Sequence, residues 1–328
     1  MTPLRSGQNL LRLARKVTRG MLSYVPGVDG FLIKRRAGGG TGSPRYCYSI
    51  WLRHLAMAQR HGLSTAPATV AELGPGDSVG VGLAALLTGS QRYWALDVLS
   101  YTNAKRNLEI FDGLIDLVRN RAPIPNGNEL GEVQPTLDSY AFPADILTPQ
   151  RLAVALSPDR LERLRRAILA LGAHPEPEDA LLSYISSWDD GAHIRQGSVD
   201  AIFSQAVLEH VDDLAATYKA MHDWLKPGGY ISHQIDFRSH NLTEAWNGHW
   251  AVPDFQWGLM RGKRAYFLNR EPCSRHLELI SELGFSVVGE HRIINQTGIQ
   301  RQALAERFRH LSDQDLETSG LFVQALKS

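Results

Sequence analysis

Apolar positions recur at helical spacing in several stretches of the chain and at strand spacing in others, and the two kinds alternate. Helical spacing covers Tyr46–Gly62, with Ile50, Leu55 and Met57, and Tyr101–Asn120, with Leu108, Phe111, Leu114, Ile115 and Val118. It returns in Ser157–Gly172, where Pro158 follows a Ser at the N-cap position, and from about Ala206 to Leu225. Two further helices are predicted over Ser274–Phe285 and Gln300–Leu311. Short apolar runs predict strands at Thr69–Leu73, Arg92–Val98, Leu181–Ser186, Val199–Gln205, Tyr230–Phe237, Ser286–Ile293 and Gly320–Lys327. Seven strands with helices between most of them predict an α/β protein, a doubly wound sheet covered on both faces.

Two segments depart from this rhythm. Residues 121–180 are too long for an ordinary connection and are expected to form a cap or helical insertion. Ala37–Ser43 reads as a flexible glycine-rich linker, so the body is expected to begin near Pro44.

The first predicted strand runs directly into a glycine-rich turn, "VAELGPGDSVGVG", and a helix follows. Gly74 and Gly76 permit positive φ and close approach of a ligand to the backbone, while the helix start offers unpaired N–H groups. The turn is not a phosphate loop, because no lysine stands where GxxxxGK[ST] needs one. It also misses the dinucleotide pattern GxGxxG, whose third glycine would be Val79.

Charge changes the picture at one place. The 328-residue chain is nearly neutral at +1, but its first 36 residues carry eight Lys and Arg against Asp29 alone, which leaves the body net acidic. Leucines and valines interleave with those bases at helical spacing, as suits a peripheral contact with an anionic membrane surface, or a partner or oligomer contact. The acidic body disfavours nucleic acid as substrate. No apolar run is long enough to span a membrane and no secretory leader is evident, so a cytoplasmic site is expected, with contact at the inner membrane face. Cys47 and Cys273 have no metal-type spacing.

"ELGPGDSVG", "ALDV" with Asp97 25 residues after Glu72, "VDAIFSQAVLEHV" and "WLKPGGYISHQIDF" stand in order along the chain. Together they resemble the class I S-adenosylmethionine-dependent methyltransferases over about Pro44 to Lys327. The resemblance implies a Rossmann-like, mostly parallel seven-stranded sheet with its last strand reversed, and S-adenosylmethionine as cofactor. It implies that Gly74, Pro75 and Gly76 approach the methionine part, and that Glu72 organises its ammonium end. Asp97 would accept both ribose hydroxyls, with Val98 beside the adenine and Ser187 and Trp188 as a candidate adenine wall. Gln205 and Ala206 would pass near the sulfonium, and Arg53 would pair the cofactor carboxylate. A less specific likeness is to bacterial methyltransferases of polysaccharide or glycoconjugate synthesis.

An unactivated hydroxyl benefits from a general base. Asp236 and His240, past the end of the fifth predicted strand, are the first candidates, and His210 the second; His233 faces away from Asp236 in an extended segment. Trp250, Phe255 and Trp257 are candidates to stack on a sugar ring, with Arg261, Lys263 and Arg264 for an anionic group. Tyr46 and Tyr48 are candidates to close over the cofactor. Two histidines and one acid at loose spacing are a weak metal signal, and no metal is expected. The expected acceptor is a small polar molecule or glycan. A non-catalytic binding protein and a nicotinamide-dependent oxidoreductase remain as alternatives.

Overall fold

A computed structural model describes residues 7–25, 41–98, 103–171, 180–186, 193–264 and 267–328. In chain order the elements are α1 (Gly7–Leu22), α2 (Pro44–Arg60), β1 (Thr69–Leu73), α3 (Gly80–Leu87), β2 (Arg92–Asp97) and α4 (Ala104–Arg119). The insertion contributes α5 (Gly127–Leu130), α6 (Pro149–Ala155) and α7 (Pro158–Leu169). Then come β3 (Leu182–Ser186), β4 (Val199–Gln205), α8 (Leu214–Trp224), β5 (Leu225–Asp236), α9 (Asp254–Arg261), α10 (Cys273–Glu282), β6 (Phe285–Ile294), α11 (Asp313–Glu317) and β7 (Thr318–Lys327).

The seven strands form one sheet in the order β3-β2-β1-β4-β5-β7-β6. The first five are parallel, and β7 runs antiparallel between β5 and β6. This is the expected Rossmann-like methyltransferase architecture with its reversed last strand. Side chains alternate along each strand, so each face builds its own core. Val70, Tyr93, Tyr184 and Phe203 pack under α2, α3 and α4, while Leu73, Leu96, Ile202 and Ile231 pack under α8 and α10. By the same parity Glu72 faces the first of these cores.

Three expectations are corrected, and the choice between a cap and a helical insertion is decided. The helix expected from Ala206 starts only at Leu214, because Asp213 accepts from the Ala216 N–H at 2.9 Å and caps it there. Ahead of it the chain makes a 3-10 turn over Leu208–His210. The helix expected over Gln300–Leu311 is two 3-10 turns, Arg301–Ala303 and Glu306–Phe308. There the Ala305 N–H is donated to the Trp250 carbonyl at 3.0 Å instead of to its own turn, while Leu304 and Phe308 bury beside Trp250.

The insertion is mostly not a cap. α7 packs on α4 and β3, and α6 on α3 and α7. Arg151 and Arg160 tie these helices to carbonyls of Thr88 (2.6 Å) and Leu86 (3.2 Å). Only residues 130–134 reach the cavity described below. Nor is the whole of the glycine-rich stretch a linker: Thr41 is buried and its hydroxyl accepts from the Ser78 N–H at 3.1 Å.

The basic N-terminal helix docks on the body. Gly20 of α1 lies so close to α9 that a Cβ there would meet the Leu259 carbonyl oxygen at 2.0 Å. Val17 packs on the cluster of Trp257, Met260 and Phe267. Among the described residues no helix is long and apolar enough to cross a membrane.

Candidate cofactor and acceptor site

The site forms where the parallel strands end. After β1 the chain turns through Gly74 (φ +63°), Pro75 and Gly76 (φ +72°), conformations in which a side chain is strained. A Cβ on Gly74 would also fall 2.6 Å from Val207 beyond β4, so the turn sits tightly against its neighbour. Asp97, closing β2, is buried; its carboxylate accepts from the Val98 N–H (2.8 Å) and more weakly from the Gly76 N–H (3.4 Å). Val98 is 40% exposed, an apolar surface at the rim. Glycine cradle and strand-end carboxylate stand together, so these residues fit a nucleoside carrying an amino-acid tail.

Glu72 does not reach toward that cradle. Its carboxyl lies beneath the turn, where it accepts from the Tyr93 hydroxyl at 2.5 Å, and it is 3% exposed. Burial pushes it up to about 8, against the Tyr93 hydrogen bond and with help from the Asp97 charge. It is held inside the sheet core by Tyr93, with the Gly82 N–H of α3 beside it. Arg53 is likewise corrected: it is fully buried and donates to the Pro125 carbonyl at 2.8 Å and to that of Pro135, with the Tyr140 ring below it. Tyr48 donates to the Ala122 carbonyl at 2.6 Å. Ser187 and Trp188 lie outside the described residues.

A cavity of about 550 Å³ opens at the ends of β4 and β5, lined among others by Tyr46, Gln134, Gln205, Ala206, Asp236 and Arg238. Ala206 takes the left-handed conformation (φ +55°) and donates its N–H to the Gln234 carbonyl at 2.9 Å. Strain of this kind in a non-glycine residue collects at functional sites. Burial raises the Tyr46 hydroxyl to about 12, so it is a neutral donor at the wall.

Gln205 is held by groups that gave no sign in the sequence. His54, buried in α2, meets Ser232 Oγ at 2.6 Å through Nδ1 and Gln205 Oε1 at 3.3 Å through Nε2. Gln324 donates to Ser232 Oγ at 2.9 Å, and Gln205 itself to the Gln134 carbonyl at 3.1 Å. An amide oxygen only accepts, so the His54 proton is assigned to Nε2. Burial lowers His54 to about 4, which keeps it neutral in that role.

Asp236 and His240 do converge. His240 Nε2 lies 3.3 Å from Asp236 Oδ2 and 3.9 Å from Glu209 Oε1, and its ring centre is 5.1 Å from that of His210. Burial works to raise the Asp236 carboxyl, but hydrogen bonds from His240 and Arg238 outweigh it and hold it well below the usual range. Arg238 pairs with Asp236 and Glu132, both at 2.8 Å, and stays charged. Glu209 is 3% exposed and no side chain donates a hydrogen bond to its oxygens; burial, with the Asp236 charge, pushes it well above the usual range against the backbone N–H groups of Glu209 and Asp236. Its turn is clamped by Asn269, which donates through Nδ2 to the carbonyls of Leu208 (2.7 Å) and Val211 (2.9 Å) and through its N–H to that of Glu209 (2.8 Å).

His233 stays out of this corner, fully buried against Ser204 Oγ at 2.8 Å. The expected sugar-stacking aromatics are core instead. Trp250 is fully buried and donates to the Arg270 carbonyl at 2.9 Å, and Trp257 packs on Phe267 and Arg270. Arg261 pairs with Asp212, Lys263 lies over the Tyr24 ring and Arg264 bonds carbonyls of α9. Phe255 is exposed on α9.

Residues 152–232 match the family described as methyltransferase domain. With the sheet order, this match supports a Rossmann-like methyltransferase fold with S-adenosylmethionine as cofactor. Among solved structures, phosphoethanolamine N-methyltransferase 2 of Haemonchus contortus is 14% identical, with a TM-score of 0.41 over 84% of this chain and 52% of that one. An S-adenosylmethionine dependent methyltransferase from Mesorhizobium loti is also 14% identical, with a TM-score of 0.38 over 80% and 91% of the two chains. No curated protein sequence matches the chain.

Proposed function

We propose that this protein transfers a methyl group from S-adenosylmethionine to a hydroxyl of a sugar-sized polar acceptor, free or within a glycoconjugate. The observation that carries this reading is the cavity of about 550 Å³ at the ends of β4 and β5, within the range of small-molecule sites; Ala206 in its wall adjoins Val207, against which Gly74 packs. Its polar wall of Tyr46, Gln134, Gln205 and the Asp236–Arg238 pair offers hydrogen bonds, as a polyol requires. Gly74, Pro75 and Gly76 would hold the methionine part of the cofactor, Asp97 its ribose hydroxyls, Val98 the adenine edge, and Gln205 and Ala206 would border its sulfur.

When bound, S-adenosylmethionine supplies an electrophilic methyl group on a sulfonium. The chain's work is to place the acceptor in line behind that methyl and to ease loss of the hydroxyl proton. His240, Asp236 and His210 are the residues proposed to receive that hydroxyl. O-directed transfer is favoured because "SQAV" stands at the end of β4, not the "NPPY"-type sequence of many amino-directed enzymes. The basic residues 1–36 are proposed to reach an anionic membrane surface; exposed Met21, Leu22 and Tyr24 beside Arg15 support this.

Calorimetric titration with S-adenosylhomocysteine, with NAD as control, tests the cofactor site in wild type and Asp97→Ala. Two lost hydrogen bonds to a charged acceptor, at ~1.5 kcal/mol each, predict binding about 100-fold weaker in the variant. Binding of neither ligand by the wild type would instead favour a non-catalytic binding protein. A screen of glycan acceptors with labelled S-adenosylmethionine then tests the substrate class.

A further inference from the structure

We infer that Glu209, His210 and His240 form a binding site for one divalent first-row transition cation. One ligand atom from each of the three lies within 4.8 Å of the others, the one such group among the described residues. Ligand atoms bonded to a common ion at about 2.1 Å lie roughly 3–4 Å apart, so small side-chain adjustments close the site.

The second observation is Glu209 itself. It is 3% exposed, no side chain donates a hydrogen bond to either oxygen, and the only donors acting on it are the backbone N–H groups of Glu209 and Asp236. A buried carboxylate so sparsely served is costly unless a positive charge compensates it. Arg238 is paired with Asp236 and Glu132 and acts on Glu209 only through its field, so the groups in place to share a cation with it are the two imidazoles.

The scaffold holds these side chains in place. Asn269 clamps the turn that carries Glu209 and His210. On the facing side His240 (φ +47°) and Asn241 (φ +60°) both take left-handed backbone conformations, in the turn that sets the His240 ring over Glu209. Two consecutive strained residues persist only where the surroundings fix them.

The donor set selects the ion. Two imidazoles and a carboxylate suit Mn²⁺, Fe²⁺, Co²⁺ or Zn²⁺, whereas Mg²⁺ and Ca²⁺ prefer oxygen ligands throughout. Asp236, 3.3 Å from His240 Nε2, is near enough to add a carboxylate oxygen. Since Asp236 also lines the cavity, an open position on the ion would face the proposed acceptor hydroxyl and lower its pKa. That catalytic role rests on the proposed function; the site itself does not.

The experiment uses tag-free, chelator-treated protein without cofactor or acceptor. Mn²⁺ is titrated while its free six-line EPR signal is followed, and Co²⁺ while its visible absorption is followed. We expect one ion per chain, binding about 100-fold weaker in both Glu209→Gln and His240→Ala, and no displacement by a tenfold excess of Mg²⁺. No saturable binding by the wild type, or wild-type affinity in both variants, overturns the site; displacement by Mg²⁺ overturns the choice of ion. His240 is partly exposed, so His240→Ala should keep its circular dichroism and melting temperature, and it decides the matter if Glu209→Gln unfolds. Binding of S-adenosylhomocysteine is measured separately, so loss of the metal site and loss of the methyltransferase reading are distinct results.

Discussion

Replacing Glu72 with Gln should flatten the pH dependence of stability. The carboxyl lies under the glycine turn, 3% exposed, with the Tyr93 hydroxyl donating to it at 2.5 Å. Burial, more than any neighbour, raises it from the ordinary 4.5 to about 8. Between those values the folded state keeps a proton that the unfolded chain releases, so stability falls as pH rises through the window. The slope approaches ~1.4 kcal/mol per pH unit and the full loss is roughly 5 kcal/mol, of which about 3 is felt at pH 7. Gln has the same shape, still accepts from Tyr93 and has nothing to titrate. Urea unfolding of both proteins at about pH 5, 6, 7 and 8 gives the difference directly, since every other group cancels. Glu72→Gln should be close to wild type near pH 5 and gain on it by ~1.4 kcal/mol per unit up to about pH 7.5. A difference that stays constant within about 0.5 kcal/mol across the series would show the carboxyl ionised in the fold, and the argument from burial would fail.

Two further substitutions probe packing and positioning. Gly82→Ala adds a Cβ 2.0 Å from the Tyr93 ring. The gain of about 1 kcal/mol in helix propensity is outweighed by ~3 kcal/mol of overpacking, so thermal unfolding should show a net loss near 2 kcal/mol; an unchanged melting temperature would contradict this. Asn269→Ala releases the two side-chain hydrogen bonds that clamp the Leu208–His210 turn and keeps the backbone one to Glu209. Mn²⁺ affinity should then drop about tenfold while affinity for S-adenosylhomocysteine is kept, and equal loss of both would assign Asn269 to general stability instead.

The glycine turn, the strand-end carboxylate Asp97 and the order of strands and helices were legible in the sequence. Each depends on neighbours within a few residues: periodicity fixes which face is apolar, and a turn needs its glycines in place. The pairing of Asp236 with His240 was legible for the same reason, four positions apart past a strand end.

Other residues carried a local pattern that distant contacts overrode. Arg53 looks like a cation free to meet a carboxylate, but carbonyls of Pro125 and Pro135, more than seventy positions on, occupy it. Trp250 and Trp257 look like a stacking surface, yet their partners Phe308 and Phe267 make them core. Gln300–Leu311 has helical composition, but the Trp250 carbonyl takes a backbone N–H that a helix would need.

The sequence by itself determined the architecture and the glycine turn with Asp97 beside it, because both are written in short-range spacing. Only the tertiary structure decided the rest: the cavity, the His54–Gln205 hydrogen bond, the Asn269 clamp and the buried Glu209 facing His240. Those contacts join residues dozens to hundreds of positions apart, and nothing in local periodicity records which of them the closing sheet brings within hydrogen-bonding distance.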